Sequence, residues 1–308
     1  MSWATTVAPA IQLGFEPIMC EADSETFGLE LNHLDELLTK HQPGAVIMVH
    51  VLGCPNRMDE VMRLKAKHGF LLMEDCCASH GSLFDGQKVG TFGELSTFSF
   101  YYGHHMSTIE GGVVCTSDEE IQDILLQIRS HGWAKDISPE KEAALAKKYK
   151  SLEFNRTFTF YQPGFNFRAT DLNAKFGLLQ MQRLDQMIAQ RVENHRTYQS
   201  RITNAPGFAC QQNPRSVPSS ISFACLASSS EHRERVAQAL RDNGIETRPL
   251  GGGNMSRQPF WYDRYGSTTF PFADRVHECS LQLPNHHLLG RDDIEFICDT
   301  VLSVAPSL

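Results

Sequence analysis

The first half of the chain alternates apolar runs with segments of helical periodicity. Residues 45–51 and 70–73 are mostly apolar and of strand length, and such runs are typical of buried parallel strands. Between them, residues 56–68 carry apolar side chains at helical spacing, and Gly69 supplies a stop at the end. A strand, a helix and a strand in this order predict a βαβ unit.

The alternation continues further along the chain. Residues 111–115 are predicted to form another strand, and the acidic residues 118–120 open a helix, because the helix dipole favours negative charge there. Residues 135–155 are charged and rich in alanine, which favours an excursion or a solvated helix over a core element. The apolar spacing across residues 170–198 predicts one long helix or two consecutive ones.

A change of pattern marks a second domain. Residues 219–223 end in alternating polar and apolar side chains, which predicts a half-buried strand. Residues 231–243 form an amphipathic helix closed by Gly244. We therefore predict an α/β domain over residues 1–198, with a mostly parallel sheet flanked by helices, and a small α+β domain over residues 199–308.

The composition is that of a globular enzyme. The 308 residues are 41% hydrophobic and 21% charged, and 28 basic against 36 acidic side chains give a net charge of -8. This acidity argues against a broad nucleic-acid-binding surface, so an anionic substrate would have to meet locally placed arginines. No apolar run is long enough to span a bilayer, and the N-terminus lacks the regions of a signal peptide. We expect no membrane partner and a cytoplasmic location.

The cysteines give no sign of a structural framework. Nine of them are scattered along the chain, and no two form a Cys-x-x-Cys pair. Reduced and mostly buried thiols are expected rather than disulfides, and no metal site is predicted.

The stretch over residues 99–112 carries the chemistry. It reads Ser-Phe-Tyr-Tyr-Gly-His-His-Met-Ser-Thr-Ile-Glu-Gly-Gly and resembles the Ser-Phe-x-x-x-Lys-x-x-x-Thr-x-Glu-Gly-Gly pattern of the DegT/DnrJ/EryC1/StrS sugar aminotransferase family. His104 stands where that family has the lysine that carries pyridoxal phosphate (PLP) as a Schiff base. An imidazole cannot form that stable bond, but it can move a proton near neutral pH. The resemblance covers nearly the whole chain and implies the fold of type I PLP-dependent transferases, with His104 as the catalytic residue.

The same resemblance implies four residues at the cofactor. Asp75 follows an apolar strand within Glu-Asp-Cys-Cys-Ala-Ser-His-Gly, where it would keep the pyridine nitrogen protonated. Ser99 matches the family's phosphate-binding serine, and Trp3 matches an aromatic residue that stacks on the ring. Asn166, in Gly-Phe-Asn-Phe-Arg, matches an asparagine that reaches the phosphate across a dimer interface. Without the resemblance, the acidic pair that includes Asp75 would be interpreted as a solvated loop, Ser99 as a strand serine and Trp3 as a core residue.

A second segment is similar to the sugar 3-dehydratases within the family. Residues 247–259 share their pattern Thr-Arg-x-x-x-x-Gly-Asn-x-x-Arg-Gln-Pro. Arg248 and Arg257 are predicted to bind substrate or cofactor anions bidentately, with Asn254 nearby, although such a loop without this context is usually a surface turn. His105 is predicted either to contact the substrate or the phosphate, or to pack in the interior.

The lysine-less subgroup implies a specific reaction. With PLP or pyridoxamine phosphate (PMP) and glutamate, such an enzyme removes the C3 hydroxyl of a nucleotide-linked 4-keto-6-deoxyhexose, in deoxysugar synthesis for O-antigen or polysaccharide. Related dehydratases that hold an iron–sulfur cluster have clustered cysteines after the histidine segment. Residues 116–209 contain no cysteine, so no cluster is expected. A homodimer with a shared active site is also implied.

Two alternatives stay open at this point. One is a sugar aminotransferase in which another group takes over the acid–base role of the lysine. The other is a truncated, non-catalytic paralogue retained for binding or regulation. The family normally has a stretch before the segment around Trp3, including a helix N-terminus that cradles the phosphate, and the resemblance implies that this chain starts after it.

Overall fold

The computed structural model of the protein describes residues 1–306 and contains helices and strands in mixed order. The helices are α1 (Ala4–Gln12), α2 (Leu31–His41), α3 (Met58–His68), α4 (Glu119–Arg129), α5 (Pro139–Tyr149), α6 (Asp171–Met181), α7 (Leu184–Ile202), α8 (Ser230–Asp242), α9 (Pro259–Tyr265), α10 (Pro271–Cys279) and α11 (Arg291–Leu302). The strands are β1 (Ala45–Val49), β2 (Leu71–Asp75), β3 (Leu83–Phe84), β4 (Gln87–Lys88), β5 (Leu95–Ser99), β6 (Gly112–Cys115), β7 (Phe208–Cys210), β8 (Ser216–Val217), β9 (Ser222–Ala227) and β10 (Ser280–Pro284).

A four-stranded sheet in the order β1-β2-β5-β6 organises the first half of the chain. Strands β1, β2 and β5 run parallel, whereas β6 pairs antiparallel with β5. The predicted βαβ unit is present as β1, α3 and β2, and the mostly parallel sheet is confirmed. Asp75 and Ser99, which end β2 and β5, therefore lie at the carboxyl edge of this sheet, where open α/β sheets bind ligands.

One face of the sheet carries the core of this half. Met48 and Leu72 are buried there against α2 and α3. Ile47 and Leu71, on the opposite face, are exposed in the part of the chain that the structure describes. The runs predicted as buried strands are thus buried on one face.

The second half is built on a three-stranded antiparallel sheet in the order β10-β9-β7. Helices α7, α8 and α11 pack around it and enclose a core that includes Phe223, Leu240 and Ile294. Helix α7 runs through the boundary predicted after residue 198, and β8 pairs with β3 of the first half. The division at that residue stays a prediction.

The stretch over residues 170–198 forms two consecutive helices, α6 and α7, which is one of the two predicted arrangements. Two other elements differ from the sequence analysis. The strand predicted from residue 219 begins at Ser222, since Ser219 and Ser220 use their polar groups in contacts with other segments. Helix α1 was not predicted and contains Pro9. Across residues 1–306, no helix has both the length and the apolar character needed to cross a membrane.

Candidate active site

The end of β2 and the turn after β5 form one polar edge of the sheet. Residues 100–111 make up this turn, which Phe100 closes through two backbone hydrogen bonds of 2.8 and 2.9 Å. His104 lies inside the turn, and its backbone N–H donates to the Tyr101 carbonyl at 3.0 Å. Asp75 is near enough to act electrostatically on His104. The structure thus brings together the two residues from which the sequence predicted the chemistry.

Glu74 and Asp75 lie on opposite faces of β2, as successive strand residues do. Glu74 is buried, accepts hydrogen bonds from three backbone amides of the 90–93 turn, and pairs with His50 at 3.1 Å. Burial opposes ionisation of Glu74, but the bond to His50 and the amides outweigh it and hold its pKa below the usual range. Glu74 therefore supports the fold beneath the site.

Asp75 faces the other way and is half-buried. Its Oδ2 accepts a hydrogen bond from the Thr6 hydroxyl at 3.0 Å, and its Oδ1 accepts from the Cys77 N–H at 3.1 Å. An ionised carboxylate has about four acceptor sites, so it can hold a further donor. Asp75 can therefore bind a protonated ring nitrogen at this edge.

A potential metal-binding group lies just behind this edge. The ligand atoms of His50, Glu74 and Cys76 are within 4.8 Å of one another and are buried. However, the His50 Nδ1 accepts from the Asn56 N–H at 3.2 Å, and its Nε2 faces Glu74 at 3.1 Å. Both imidazole nitrogens are therefore engaged in hydrogen bonds, and a metal would have to displace them. The absence of a metal site stays a prediction.

The His104 imidazole is poised to accept a proton. It is half-buried, and its Nδ1 is buried without a hydrogen-bond partner among residues 1–306. The Tyr101 ring lies edge-on to it, with centroids 5.9 Å apart. Burial lowers the pKa of His104 below its ordinary value, and the Asp75 carboxylate opposes this. Arg191 and Arg248 add to the lowering through their positive charge, so the neutral imidazole predominates near neutral pH.

His105 points into the interior. It is only 2% exposed, and its Nε2 lies 2.7 Å from the carbonyl oxygen of Ser219 and 3.0 Å from the Ser219 hydroxyl. The His80 ring packs on it, with centroids 5.0 Å apart. The predicted contact of His105 with the substrate does not fit this burial, whereas the packing alternative does.

Two more of the predicted cofactor residues lie at or next to this edge. Ser99 is half-buried at the end of β5, and its hydroxyl accepts from the Tyr101 N–H at 3.2 Å, so the hydroxyl hydrogen can be donated to a phosphate oxygen. Trp3 caps the start of α1 and is 61% exposed, so it is not a core tryptophan. The bond from Thr6 to Asp75 fixes α1, and with it Trp3, next to the carboxyl edge.

Asn166 lies on an exposed stretch of the chain. Its Oδ1 accepts from the Arg168 Nε at 3.1 Å, and its backbone bridges to Ser130. None of its hydrogen bonds within residues 1–306 reaches Asp75, Ser99 or His104. This fits the expectation that the asparagine serves a neighbouring subunit, which stays a prediction.

Of the three predicted residues in the segment over residues 247–259, one lies near His104 and two are held by contacts elsewhere. Arg248 is exposed, donates to Gln282 at 3.1 Å, and acts electrostatically on His104. Asn254 is 3% exposed and uses its side chain to cap the turn at residues 255–257. Arg257 binds Glu278 at 2.7 Å and lines a cavity of about 460 Å³ whose lining does not include Asp75, Ser99 or His104. Roles of Asn254 and Arg257 at the substrate therefore find no support in their contacts.

Three residues of the site were missed by the sequence analysis. Thr6 binds the Asp75 carboxylate, His80 packs behind His105, and Arg191 places a buried positive charge close to the histidines. His80 belongs to the same segment as Asp75, five residues further on, which was the one available signal. Thr6 and Arg191 are 69 and 116 residues from Asp75 along the chain, so no local motif contains them.

These residues fit PLP. A carboxylate lies at the carboxyl end of a parallel strand, a serine ends the neighbouring strand, and an imidazole with an unpartnered buried nitrogen lies in the turn that follows, at the family's lysine position. The carboxylate suits a pyridinium nitrogen, and the serine suits a phosphate. The fold and this residue set define a PLP-dependent enzyme of fold type I.

More narrowly, the chain belongs to the DegT/DnrJ/EryC1/StrS aminotransferase family, whose family model matches residues 1–302. It is similar to GDP-4-keto-6-deoxy-D-mannose 3-dehydratase of Escherichia coli O55:H7, with 31% identity over 301 residues, 96% of this chain and 77% of the relative. It is also similar to GDP-perosamine synthase of Escherichia coli O157:H7, with 26% identity over 94% of this chain and 72% of the relative. The resemblance drawn from residues 99–112 is thereby confirmed.

A solved structure supports the same fold. It is a GDP-4-keto-6-deoxymannose-3-dehydratase with a trapped PLP-glutamate geminal diamine, and it superposes with a TM-score of 0.87 at 28% identity. The match covers 98% of this chain and 78% of that chain.

Proposed function

We propose that the protein is a PLP- and PMP-dependent 3-dehydratase that removes the C3 hydroxyl of a nucleotide-linked 4-keto-6-deoxyhexose and uses glutamate as the amino donor. The observation that carries this proposal is His104, a half-buried imidazole with a free buried nitrogen in the position of the family's lysine. The relative named as a 3-dehydratase supports the reaction, and the trapped PLP-glutamate structure supports the amino donor.

The cofactor, when bound, supplies an electron sink that makes a proton at its C4′ carbon acidic and allows the neighbouring sugar hydroxyl to leave. Over the whole reaction, the sugar C3 exchanges its hydroxyl for hydrogen, and glutamate becomes 2-oxoglutarate and ammonia. The two electrons that reduce the sugar come from glutamate, so no other reductant is needed.

His104 holds and moves the proton. In its neutral form it accepts the proton at the C4′ position, and as imidazolium it can donate a proton to the departing hydroxyl. Its lowered pKa keeps it ready to accept at neutral pH, and the neighbouring Asp75 carboxylate favours the imidazolium once it forms. Because residue 104 is a histidine and has no side-chain amine, the cofactor cannot form a covalent bond with the protein at this position.

Other residues would bind and orient the cofactor and the substrate. Asp75 would keep the ring nitrogen of the cofactor protonated, Ser99 would donate to its phosphate, and Trp3 would stack on its ring. Arg248 is exposed beside the site and is suited to the diphosphate of the nucleotide, because a guanidinium binds such oxygens bidentately.

A homodimer would complete the site with Asn166. Phe165 and Phe167 flank this asparagine, stack on each other with centroids 4.7 Å apart, and are both exposed. Leu172 and Phe176 of α6 are exposed as well. Exposed aromatic and apolar residues of this kind are typical of a subunit interface.

Complementation tests the shared site. His104→Gln and Asn166→Asp chains are each expected to be inactive, whereas mixed chains should regain activity because one site of each heterodimer has both native residues. Mass measurement by light scattering should give a dimer. A monomer, or mixed chains that stay inactive, would contradict the shared site.

The reaction is tested with purified protein, PLP, glutamate and GDP-4-keto-6-deoxymannose. Ammonia and a 3-deoxy sugar in equal amounts are expected. A stable 4-amino sugar without ammonia would support the aminotransferase alternative, for which the similarity to GDP-perosamine synthase at 26% identity is the supporting observation. Protein that neither binds PLP nor turns over substrate would support the non-catalytic alternative.

The cytoplasmic location of the protein stays a prediction.

A further inference from the structure

The two adjacent histidines are held in opposite ways. His104 has no side-chain hydrogen bond within residues 1–306, whereas His105 is buried and bound to Ser219, which lies 114 residues away in the chain. The distance of 2.7 Å from the His105 Nε2 to the Ser219 carbonyl oxygen requires Nε2 to be the donor. The tautomer of His105 is thereby fixed.

Ser219 is itself immobilised by two segments of the first half. Its backbone N–H donates to the Ser82 hydroxyl at 2.9 Å, and that hydroxyl in turn donates to the Gly53 carbonyl at 2.8 Å. Gly53 has backbone atoms of residues 78, 219 and 220 at 2.7 Å from the position of an added Cβ, so these segments are in close contact. His105 is therefore bound to a rigid junction of three distant parts of the chain.

The other side of His105 is closed by aromatic packing. The His80 ring lies on it, and His80 in turn packs against Phe98 of β5 with centroids 5.1 Å apart. The turn is consequently anchored immediately after His104 and cannot rotate without breaking these contacts.

We propose that His105 is a positioning residue, which anchors the 100–111 turn to Ser219 and thereby fixes the His104 imidazole over the cofactor site. The inference rests on the proposed role of His104 as the proton carrier. His105 does not touch the reacting atoms, so its contribution is geometric. A displacement of a reacting group by about 1 Å can lower a rate about 100-fold, so an anchor next to His104 has a large effect on turnover.

The experiment compares His105→Leu, which removes the donor and keeps the bulk, with His105→Gln, whose amide can donate to Ser219. Met106→Leu is the matched control, since it alters a buried neighbour without changing a hydrogen bond. For His105→Leu we expect kcat to fall about 10- to 100-fold with KM nearly unchanged. His105→Gln should recover most of the loss, and Met106→Leu should stay close to the native enzyme.

A second measurement does not depend on turnover. In protein with labelled histidines and no cofactor, the His104 ring signal, assigned by its loss in His104→Gln, should show contacts with the Tyr101 ring. His105→Leu should abolish these contacts, whereas His105→Gln and Met106→Leu should keep them. If His105→Leu fails to fold, Ser219→Ala, which removes the hydroxyl and keeps the carbonyl, replaces it and should weaken the contacts in part.

Unchanged kcat in His105→Leu with unchanged His104 contacts would overturn the inference. So would equal losses in His105→Leu and His105→Gln, because the amide would then fail to replace the imidazole donor. If the native protein shows no dehydratase activity, the proposed function fails, but the ring contacts of His104 still decide whether His105 positions it.

Discussion

The Thr6 hydroxyl donates a hydrogen bond at 3.0 Å to the Asp75 carboxylate and so joins α1 to the end of β2. The two residues are 69 positions apart. Because Trp3 caps α1, this one bond relates the exposed tryptophan to the carboxylate on which cofactor binding is proposed to depend. The bond also engages one oxygen of Asp75 and thereby fixes the direction in which the carboxylate faces.

Asp75→Asn should abolish most of the activity. An amide cannot hold the pyridine nitrogen in its protonated form, so we expect kcat to fall about 100-fold or more, with a smaller loss of PLP affinity. Steady-state kinetics and a PLP fluorescence titration measure the two effects. Asp263→Asn, at an exposed position on α9, is the control and should leave both values unchanged. An active Asp75→Asn enzyme would remove the proposed role.

Thr6→Val should weaken cofactor binding moderately. The substitution keeps the shape of the side chain and removes one hydrogen bond to a carboxylate, which is worth about 1.5 kcal/mol, or about tenfold in affinity. Thr5→Val, at the exposed neighbouring position, should have no effect on PLP affinity. Equal affinities for both variants would show that α1 is held by other contacts.

His104→Lys should convert the site to one that binds PLP covalently. If His104 occupies the lysine position in space, the new amine should attach to the cofactor, and borohydride should make the attachment permanent. Mass spectrometry would then place the cofactor on residue 104. The dehydratase activity should be lost, as it should be in His104→Gln, which binds PLP without attachment. A lysine variant that binds PLP only reversibly would show that the side chain at position 104 does not reach it.

Arg248→Gln should shift the acid limb of the activity profile to higher pH. The positive charge of Arg248 lowers the pKa of His104, so its removal raises that pKa and His104 becomes protonated at a higher pH. Profiles of kcat/KM against pH detect the shift, and labelled-histidine titration in the cofactor-free protein confirms it without catalysis. A shift to lower pH would contradict the assignment of the groups that face His104.

The protein should lose stability in mild acid because buried histidines resist protonation. Burial, with smaller contributions from His104 and Arg191, lowers the pKa of His80 to about 4. The unfolded chain binds this proton near pH 6.5, so the free energy of unfolding falls as the pH drops from about 6.5 to about 4, by roughly 2–3 kcal/mol for this group. His80→Phe should reduce that fall in urea denaturation. Phe98→Leu, which disturbs the same packing without a titrating group, should leave the pH dependence unchanged.

The parallel strands were predictable because their signal is local. The apolar runs at β1 and β2, with helical spacing and Gly69 between them, identified the βαβ unit, and the structure gives the Gly69 backbone the left-handed conformation of a helix stop. Helix α1 gave no such signal, since its nine residues contain Pro9 and bury just Val7. Its position depends on Thr6 and Asp75, a contact that no spacing in the sequence reveals.

The candidate site shows the same division. The sequence alone determined that a histidine stands where the family pattern over residues 99–112 has a lysine, and the resemblance pointed to Asp75 and Ser99 as candidates for the cofactor. Only the tertiary structure decided that Glu74 supports the fold while Asp75 faces the site, that His105 and Asn254 are bound internally, and that Arg257 pairs with Glu278. The reason is physical: residue types and short spacings fix which chemistry is available, but burial and hydrogen bonding between distant segments fix where each polar side chain can point.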